Sequence, residues 1–196
     1  MTAGPSFRLV DLVGETRDRA IPILKESFEG IYRWHAKRTL REIATVRAAE
    51  VGGEIVGAAL LEELLPEVGY VYYLFVGEGH RRQGIGGALL DDALARFRSD
   101  AVRVVYAAAE EENAASRELF RSRGFREVGR KEPGWQEGGL GAWGLRSRML
   151  LVSGEVLMGL RLDSPRTVDS AGSPLGPGER DPAPSATPRS FADPMH

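Results

Sequence analysis

Arg81-Arg82-Gln83-Gly84-Ile85-Gly86-Gly87-Ala88-Leu89-Leu90 is the stretch whose reading decides the fold. It follows a strand-like run at 70–76 and opens an amphipathic helix. The glycines remove side chains where a turn meets a helix start, so a ligand can come close to the backbone. The first N–H groups of a helix have no internal acceptor and carry partial positive charge. Strand, basic residues, spaced glycines and apolar helix together make a place for a phosphate group. Two common phosphate loops do not fit. Leu89 stands where the dinucleotide pattern G-x-G-x-x-G needs its third glycine, and no Gly-Lys-Ser/Thr ending completes a nucleotide P-loop.

Outward from this turn, Leu90, Ala93, Leu94 and Phe97 recur at helical spacing. The apolar run 102–109 predicts a strand buried on both faces. A helix is expected over 113–123, with Asn113 as N-cap and Gly124 just past its end. Upstream, 7–10 reads as a strand, and 16–28 as a helix with Ile21, Leu24 and Phe28 on one face. Pro22 fits only a first turn, so the regular helix should begin near Ala20. A second helix is expected over 31–43, then a hairpin of 46–50 and 54–62 around Gly52-Gly53. Downstream, 126–129 starts a strand, and 149–152 and 155–162 are expected to pair across Ser153-Gly154. The order β-α-α-β-β-β-α-β-α-β-β predicts an α/β fold, a mixed sheet with helices on its faces.

Composition narrows the function classes. The chain is 42% hydrophobic and 28% charged, as in soluble globular proteins. A net charge of -2 provides no field that attracts nucleic acid. The absence of cysteine excludes disulfides, thiolate metal sites and a thiol nucleophile. Three scattered histidines give no metal-ligand spacing, so no metal is expected. The N-terminus lacks a signal pattern, and no apolar run approaches the roughly 20 residues of a membrane span. The expectation is a cytoplasmic protein with no membrane partner. Positions 164–196 hold seven of the eleven prolines and few large apolar residues. Such a segment buries too little to offset its ordering entropy. The expected organisation is a folded domain at 1–163 and a Pro/Ser-rich disordered tail at 164–196.

Leu74-Phe75-Val76 followed by Arg81-x-x-Gly84-x-Gly86 resembles the coenzyme A motif of the GNAT superfamily of N-acetyltransferases. A second piece is Asn113-Ala-Ala-Ser116-Arg-Glu-Leu119-Phe120-Arg-Ser-Arg-Gly124-Phe125. It resembles the family's Asn-x-x-(small)-x-x-Leu-Tyr-x-x-x-Gly-Phe segment. The two stand in the family's order, and the resemblance covers about 7–130, with 155–162 as the last strand. It implies a GNAT-like, mostly antiparallel sheet with a central splayed strand pair and helices on both faces. The implied activity is transfer of an acetyl group from acetyl-CoA to a primary amine, by direct attack in a ternary complex. The alternative is a non-catalytic acyl-CoA-binding or sensing domain.

The resemblance also implies site residues. Arg81, Arg82, Gln83, Gly84, Gly86 and Gly87 would cradle the pyrophosphate. Leu74, Phe75 and Val76 would pair with the pantetheine arm like an added strand. The N–H of Phe75 or Val76 would hold the thioester oxygen. Asn113 and Phe120 would contact the cofactor. Phe120 departs from the pattern, because the family's tyrosine there protonates the leaving thiolate. A thiol of pKa ~8.5 leaves without much help, so this departure slows turnover rather than abolishing it. Tyr73 is the candidate acid. Tyr70 stands where some members carry a glutamate base, which leaves Glu67, just upstream, as the candidate base. Arg33, His35, Lys37, Arg38 and Arg41 read as a solvated helix face. Were they to line the acceptor pocket, they would favour an anionic acceptor. The Gly-rich stretch 134–144, with Trp135 and Trp143, would either cover the acceptor or pack on the sheet. The sequence names neither the amine nor the oligomeric state, a homodimer included.

Overall fold

The computed structural model describes residues 6–128, 149 and 154–162. The expected tail at 164–196, the tryptophan stretch and the strand at 149–152 (apart from Met149) lie outside the described residues. The seven described strands are β1 (Arg8–Asp11), β2 (Thr45–Val51), β3 (Glu54–Leu65), β4 (Val68–Val76), β5 (Val104–Glu110), β6 (Arg126–Glu127) and β7 (Glu155–Arg161). They form one sheet in the order β1-β2-β3-β4-β5-β7-β6. Every neighbouring pair is antiparallel except β4 and β5. The helices are α1 (Ile21–Ser27), α2 (Gly30–Glu42), α3 (Ile85–Ser99) and α4 (Ala114–Arg121).

Local chemistry explains most element ends. A 3₁₀ segment, Gly14–Ala20, precedes α1, and Pro22 falls in the first helical turn. A missing N–H costs nothing there, so the proline starts the helix rather than breaking it. Gly52 and Gly53 both have positive φ (58° and 91°), as a two-residue turn matching the strand twist requires. β5 begins at Val104, two residues later than expected. Ala101 is left-handed at φ 59°, and the Val102 N–H donates to the Phe97 carbonyl to end α3.

The sheet buries both faces. On one, α3 presents Ile85, Leu89, Ala93 and Phe97, spaced by one helical turn, to Val71, Val105, Ala107 and Met158. Phe120 of α4 and Phe125 complete that cluster. On the other face, Ile23 and Leu24 of α1 and Ala36 and Leu40 of α2 cover Ala48, Ala58, Leu60 and Phe75. A smaller cluster on the second face gathers Tyr70, Tyr106, Leu157 and Met149.

Among the described residues, Glu50 is a charged side chain buried in this framework. Glu50 on β2 is 5% exposed and accepts from Arg8 and from Arg19, the latter at 2.7 Å. Arg19 first, then Arg8, holds its carboxyl below the usual carboxylate range. A lowered folded-state value stabilises above the unfolded value, ~4.3, and that stabilisation disappears as pH falls through the folded value. Glu50→Gln should therefore lower Tm at pH 7, and the gap to the parent should close towards pH 3. Thermal melts across that range check this; a gap independent of pH would refute it.

Candidate active site

The site begins at an irregularity in β4. Leu60 opposes Tyr73 and Leu61 opposes Val71, so Tyr72 is an extra residue against β3. A bulge of this kind sharpens strand twist and re-aims side chains. Tyr72 and Tyr73 consequently both join the face covered by α1 and α2, whereas Leu74 and Val76 join the face of α3. The parallel pairing of β4 with β5 stops at the same point. It runs only from Val68 opposite Val104 to Val71 opposite Ala107, although the strands continue to Val76 and Glu110. Beyond the bulge the two strands part, and β5 stays with β7.

Among the described residues, the opening leaves the β4 edge at Leu74 and Val76 without a partner strand. The Gly77 N–H donates to the Val56 carbonyl at 2.9 Å, which puts odd-numbered β4 residues on the β3 side. By antiparallel alternation, Phe75 and Tyr73 turn their N–H groups into the β3 ladder, and Leu74 and Val76 turn theirs towards the gap. The Val76 carbonyl fits this, since it accepts from Arg81 Nε at 3.1 Å rather than from β3. Phe75 is therefore not positioned to hold a thioester oxygen. Its ring is buried against Phe28 instead, at a centroid distance of 5.5 Å.

Past Val76, a short 3₁₀ turn (Glu78–His80) leads into the glycine stretch. Glu26 of α1 accepts from the Glu78 N–H at 2.6 Å and ties the turn to the fold. The Gln83 side-chain amide donates to the Gly79 carbonyl at 3.1 Å, so Gln83 and Arg81 brace the loop through their side chains. Arg82 and Gly84 have positive φ (62° and 83°), and Gly84 is the N-cap of α3. The first helical bond is from Ala88 N–H to the Gly84 carbonyl. Among the described residues, the N–H groups of Gln83, Gly84, Ile85, Gly86 and Gly87 have no acceptor. Such a run of free donors at a helix N-terminus suits a phosphorylated ligand. A side chain on Gly87 would strike the Arg123 guanidinium, which is fixed by Asp91 at 3.0 and 3.1 Å.

α4 closes the gap from the α3 side. The Asn113 side chain accepts from the Ser116 N–H at 3.0 Å, so Asn113 is the helix cap. Gly124, at φ 87°, ends the helix, and the Phe125 N–H returns to the Phe120 carbonyl. The Phe120 and Phe125 rings then meet at 5.2 Å, which sets Phe120 in the wall of the gap.

Between these elements lies a cleft of about 350 Å³. Tyr72–Leu74 of β4, Ala108–Glu110 of β5, and Asn113, Ser116, Leu119 and Phe120 line it. Phe28, Glu29 and Tyr32, around the start of α2, line it as well, with Met149 and Glu155. Tyr73 meets the Phe28 ring edge-on at 5.2 Å. Burial, then Glu155, pushes its phenol up to about 12. Tyr32 is raised by burial and then by Glu155 and Glu110.

One expectation is corrected here. Glu67 does not reach the cleft: it occupies the β3–β4 turn at φ 67°, at the paired end of β4 and β5. Its carboxylate meets Arg103 at 3.1 Å, and its carbonyl accepts from Arg103 and Val104. The arginines of α2, read from the sequence as a solvated helix face, do not line the cleft. Arg33 donates to the Phe28 carbonyl, Arg38 pairs with Glu42 over Trp34, and Arg41 pairs with Asp18. Tyr70 is buried, donates to the Met149 carbonyl at 3.0 Å, and burial raises its phenol far above the usual range. Sequence reasoning missed Glu29, Tyr32, Tyr72, Glu110, Ser116 and Glu155. Only Ser116 had a signal, as the small position three residues after Asn113.

A family model for the acetyltransferase (GNAT) family matches residues 14–125, more than half of the chain and inclusive of the bulge, the glycine turn and α4. The chain belongs to the GNAT acetyltransferase family. No curated protein matches its sequence. The fold is similar to the ribosomal-protein-S18-alanine N-acetyltransferase of Escherichia coli, at 17% identity and a TM-score of 0.60, over 80% of this chain and 94% of that one. It is similar to a GNAT acetyltransferase of Elizabethkingia anophelis solved with acetyl-CoA bound, at 17% identity and TM-score 0.61, over 80% and 98%. It is also similar to the PaiA N-acetyltransferase of Thermoplasma acidophilum in complex with coenzyme A, at 12% identity and TM-score 0.61, over 80% and 99%.

GNAT acetyltransferases use acetyl-CoA as co-substrate, and the residues of this GNAT domain fit it. Five free N–H groups suit a diphosphate, and an open strand edge suits an amide-bearing arm. Among the described residues, no helix is long and apolar enough to cross a membrane.

Proposed function

We propose that this GNAT acyltransferase moves the acetyl group of acetyl-CoA to a primary amine by direct attack in a ternary complex. The observation that carries this reading is the free edge of β4, which runs from the phosphate-binding turn into a cleft lined by carboxylates. Bound acetyl-CoA supplies an acetyl group activated as a thioester. The N–H groups of residues 83–87 hold the diphosphate. The Leu74 N–H, outward on the cleft-lining part of β4, stabilises the oxygen that becomes negative. An attacking amine must first lose a proton, and Glu29 and Glu110 can take it directly or through water. Tyr73, with its phenol near 12, stays protonated at neutral pH and serves as a hydrogen-bond donor. A small cysteine-free site favours this direct route over an acyl-enzyme.

Free-thiol release over a panel of amines tests the proposal. Amine-dependent release is expected. Tight acetyl-CoA binding without it would replace the proposal with a sensing domain, the reading that Phe120 favours. Phe120→Tyr restores a proton donor on a ring already facing the cleft. It should raise kcat about tenfold at pH 7 and less at pH 9. General acids contribute ~100-fold or more, and a thiolate needs only part of that. An unchanged rate at both pH values in a folded variant would exclude a missing acid as the limit.

A further inference from the structure

The glycine turn carries a cation with no task inside the fold. Among the described residues, three arginines stand at the turn or against the first turn of α3: Arg81, Arg82 and Arg123. Arg81 donates its Nε–H to the Val76 carbonyl, and Arg123 is held by both oxygens of Asp91. The Arg82 side chain is exposed and, among the described residues, has neither a hydrogen bond nor an ion pair. Its backbone is nevertheless left-handed, at φ 62°. Gly84 takes the other left-handed position of the turn, as glycine does without strain. A long side chain in that conformation is strained, and no pairing within the fold offsets it. Strain held at a ligand site by a residue without an internal partner points to a task towards the ligand.

The co-substrate has a group that matches this cation. Besides its diphosphate, acetyl-CoA carries a phosphate monoester on the 3′ oxygen of its ribose. Such a monoester holds a charge of about −1.5 to −2 at pH 7. The free N–H groups of residues 83–87 suit the diphosphate, so the third phosphate calls for a donor outside that run. Arg82 directly precedes the run, and a guanidinium binds phosphate oxygens through two N–H groups at once. We propose that Arg82 reads the 3′-phosphate and so distinguishes coenzyme A from its 3′-dephospho form. The inference concerns the acyl donor alone, so it holds both for transfer to an amine and for a domain that only senses acetyl-CoA.

Calorimetric titration of the full chain with acetyl-CoA and with acetyl-3′-dephospho-CoA tests it without turnover. The parent should bind acetyl-CoA about tenfold more tightly, the scale of one hydrogen-bonded charge at a surface. That ratio should shrink as salt rises. Arg82→Gly should bring the ratio near one by weakening acetyl-CoA alone. It also relieves the left-handed strain, so this variant should melt no lower than the parent. Arg82→Lys keeps the charge without the planar fork and should fall between the two. Arg123→Gln should leave the ratio as in the parent. A parent ratio of one would overturn the proposal, because nothing would then read the third phosphate. A parent-like ratio in Arg82→Gly, or a ratio lost in Arg123→Gln alone, would assign the role to another residue. Equal weakening of both ligands in Arg82→Gly, with a lower Tm, would make Arg82 a support of the turn and overturn the proposal as well.

Discussion

Gly86→Glu should abolish acetyl-CoA binding, by at least ~100-fold in Kd, in a protein that still melts as the parent does. A Cβ at Gly86 would lie 3.5 Å from Leu119, 3.7 Å from Leu74 and 3.7 Å from Val76, all ordinary contacts. The φ of Gly86 is also not in the left-handed region, so the backbone accepts a side chain. The Glu side chain would leave towards Leu74, Val76 and Leu119, into the gap beside the free N–H groups at the start of α3. It competes for those donors and repels the diphosphate that would otherwise take them. Two unit charges ~5 Å apart at an effective dielectric of ~20 interact by roughly 3 kcal/mol, or about 100-fold in affinity. Gly86→Gln separates charge from size and should lose far less. Calorimetric titration with acetyl-CoA measures both. Parent-like affinity in Gly86→Glu would remove the diphosphate from this turn.

Phe97→Ala should cost about 3–5 kcal/mol, the range for emptying a buried aromatic site. At this chain length that lowers Tm by roughly 10 °C. Phe97 is 4% exposed on the inner face of α3, and its ring lies close against Gly69. A Cβ at Gly69 would fall 2.7–3.0 Å from three ring atoms. Gly69 sits opposite Val105, within the short parallel stretch that holds β4 and β5 together. The ring therefore clamps the hinge end of the splayed pair. Gly69→Ala alone should destabilise by overpacking. With Phe97→Ala, the added methyl meets a cavity instead of a ring, so the double variant should be more stable than the sum of the single losses predicts. A double-mutant cycle in urea measures that coupling. Strict additivity would show that the two positions do not share this contact.

Much of the framework is legible in the residues because the deciding signals are local. Glycine positions, an Asn cap, and helical spacing at Leu90, Ala93, Leu94 and Phe97 act within a turn or two of chain. The bulge had a trace as well: two consecutive tyrosines, Tyr72-Tyr73, interrupt the alternation of β4. Strand parity was not legible. Whether Phe75 or Leu74 offers a free N–H depends on which side β3 pairs, and the residue type does not encode that. Glu67 looked close to the site because it is close in sequence, yet nine residues of extended strand carry the chain from that end of the sheet towards the opposite one.

By itself, the sequence determined the acyl-donor end of this protein. A phosphate turn is built from backbone N–H groups, and only glycines at the right spacing leave those groups exposed, so the signature is written in consecutive residues. The tertiary structure alone decided what lines the cleft beyond that turn. Glu29, Glu110 and Glu155 come from three elements far apart in the chain. Antiparallel register and the helix over the sheet bring their charges to one cleft, and no local pattern could announce it.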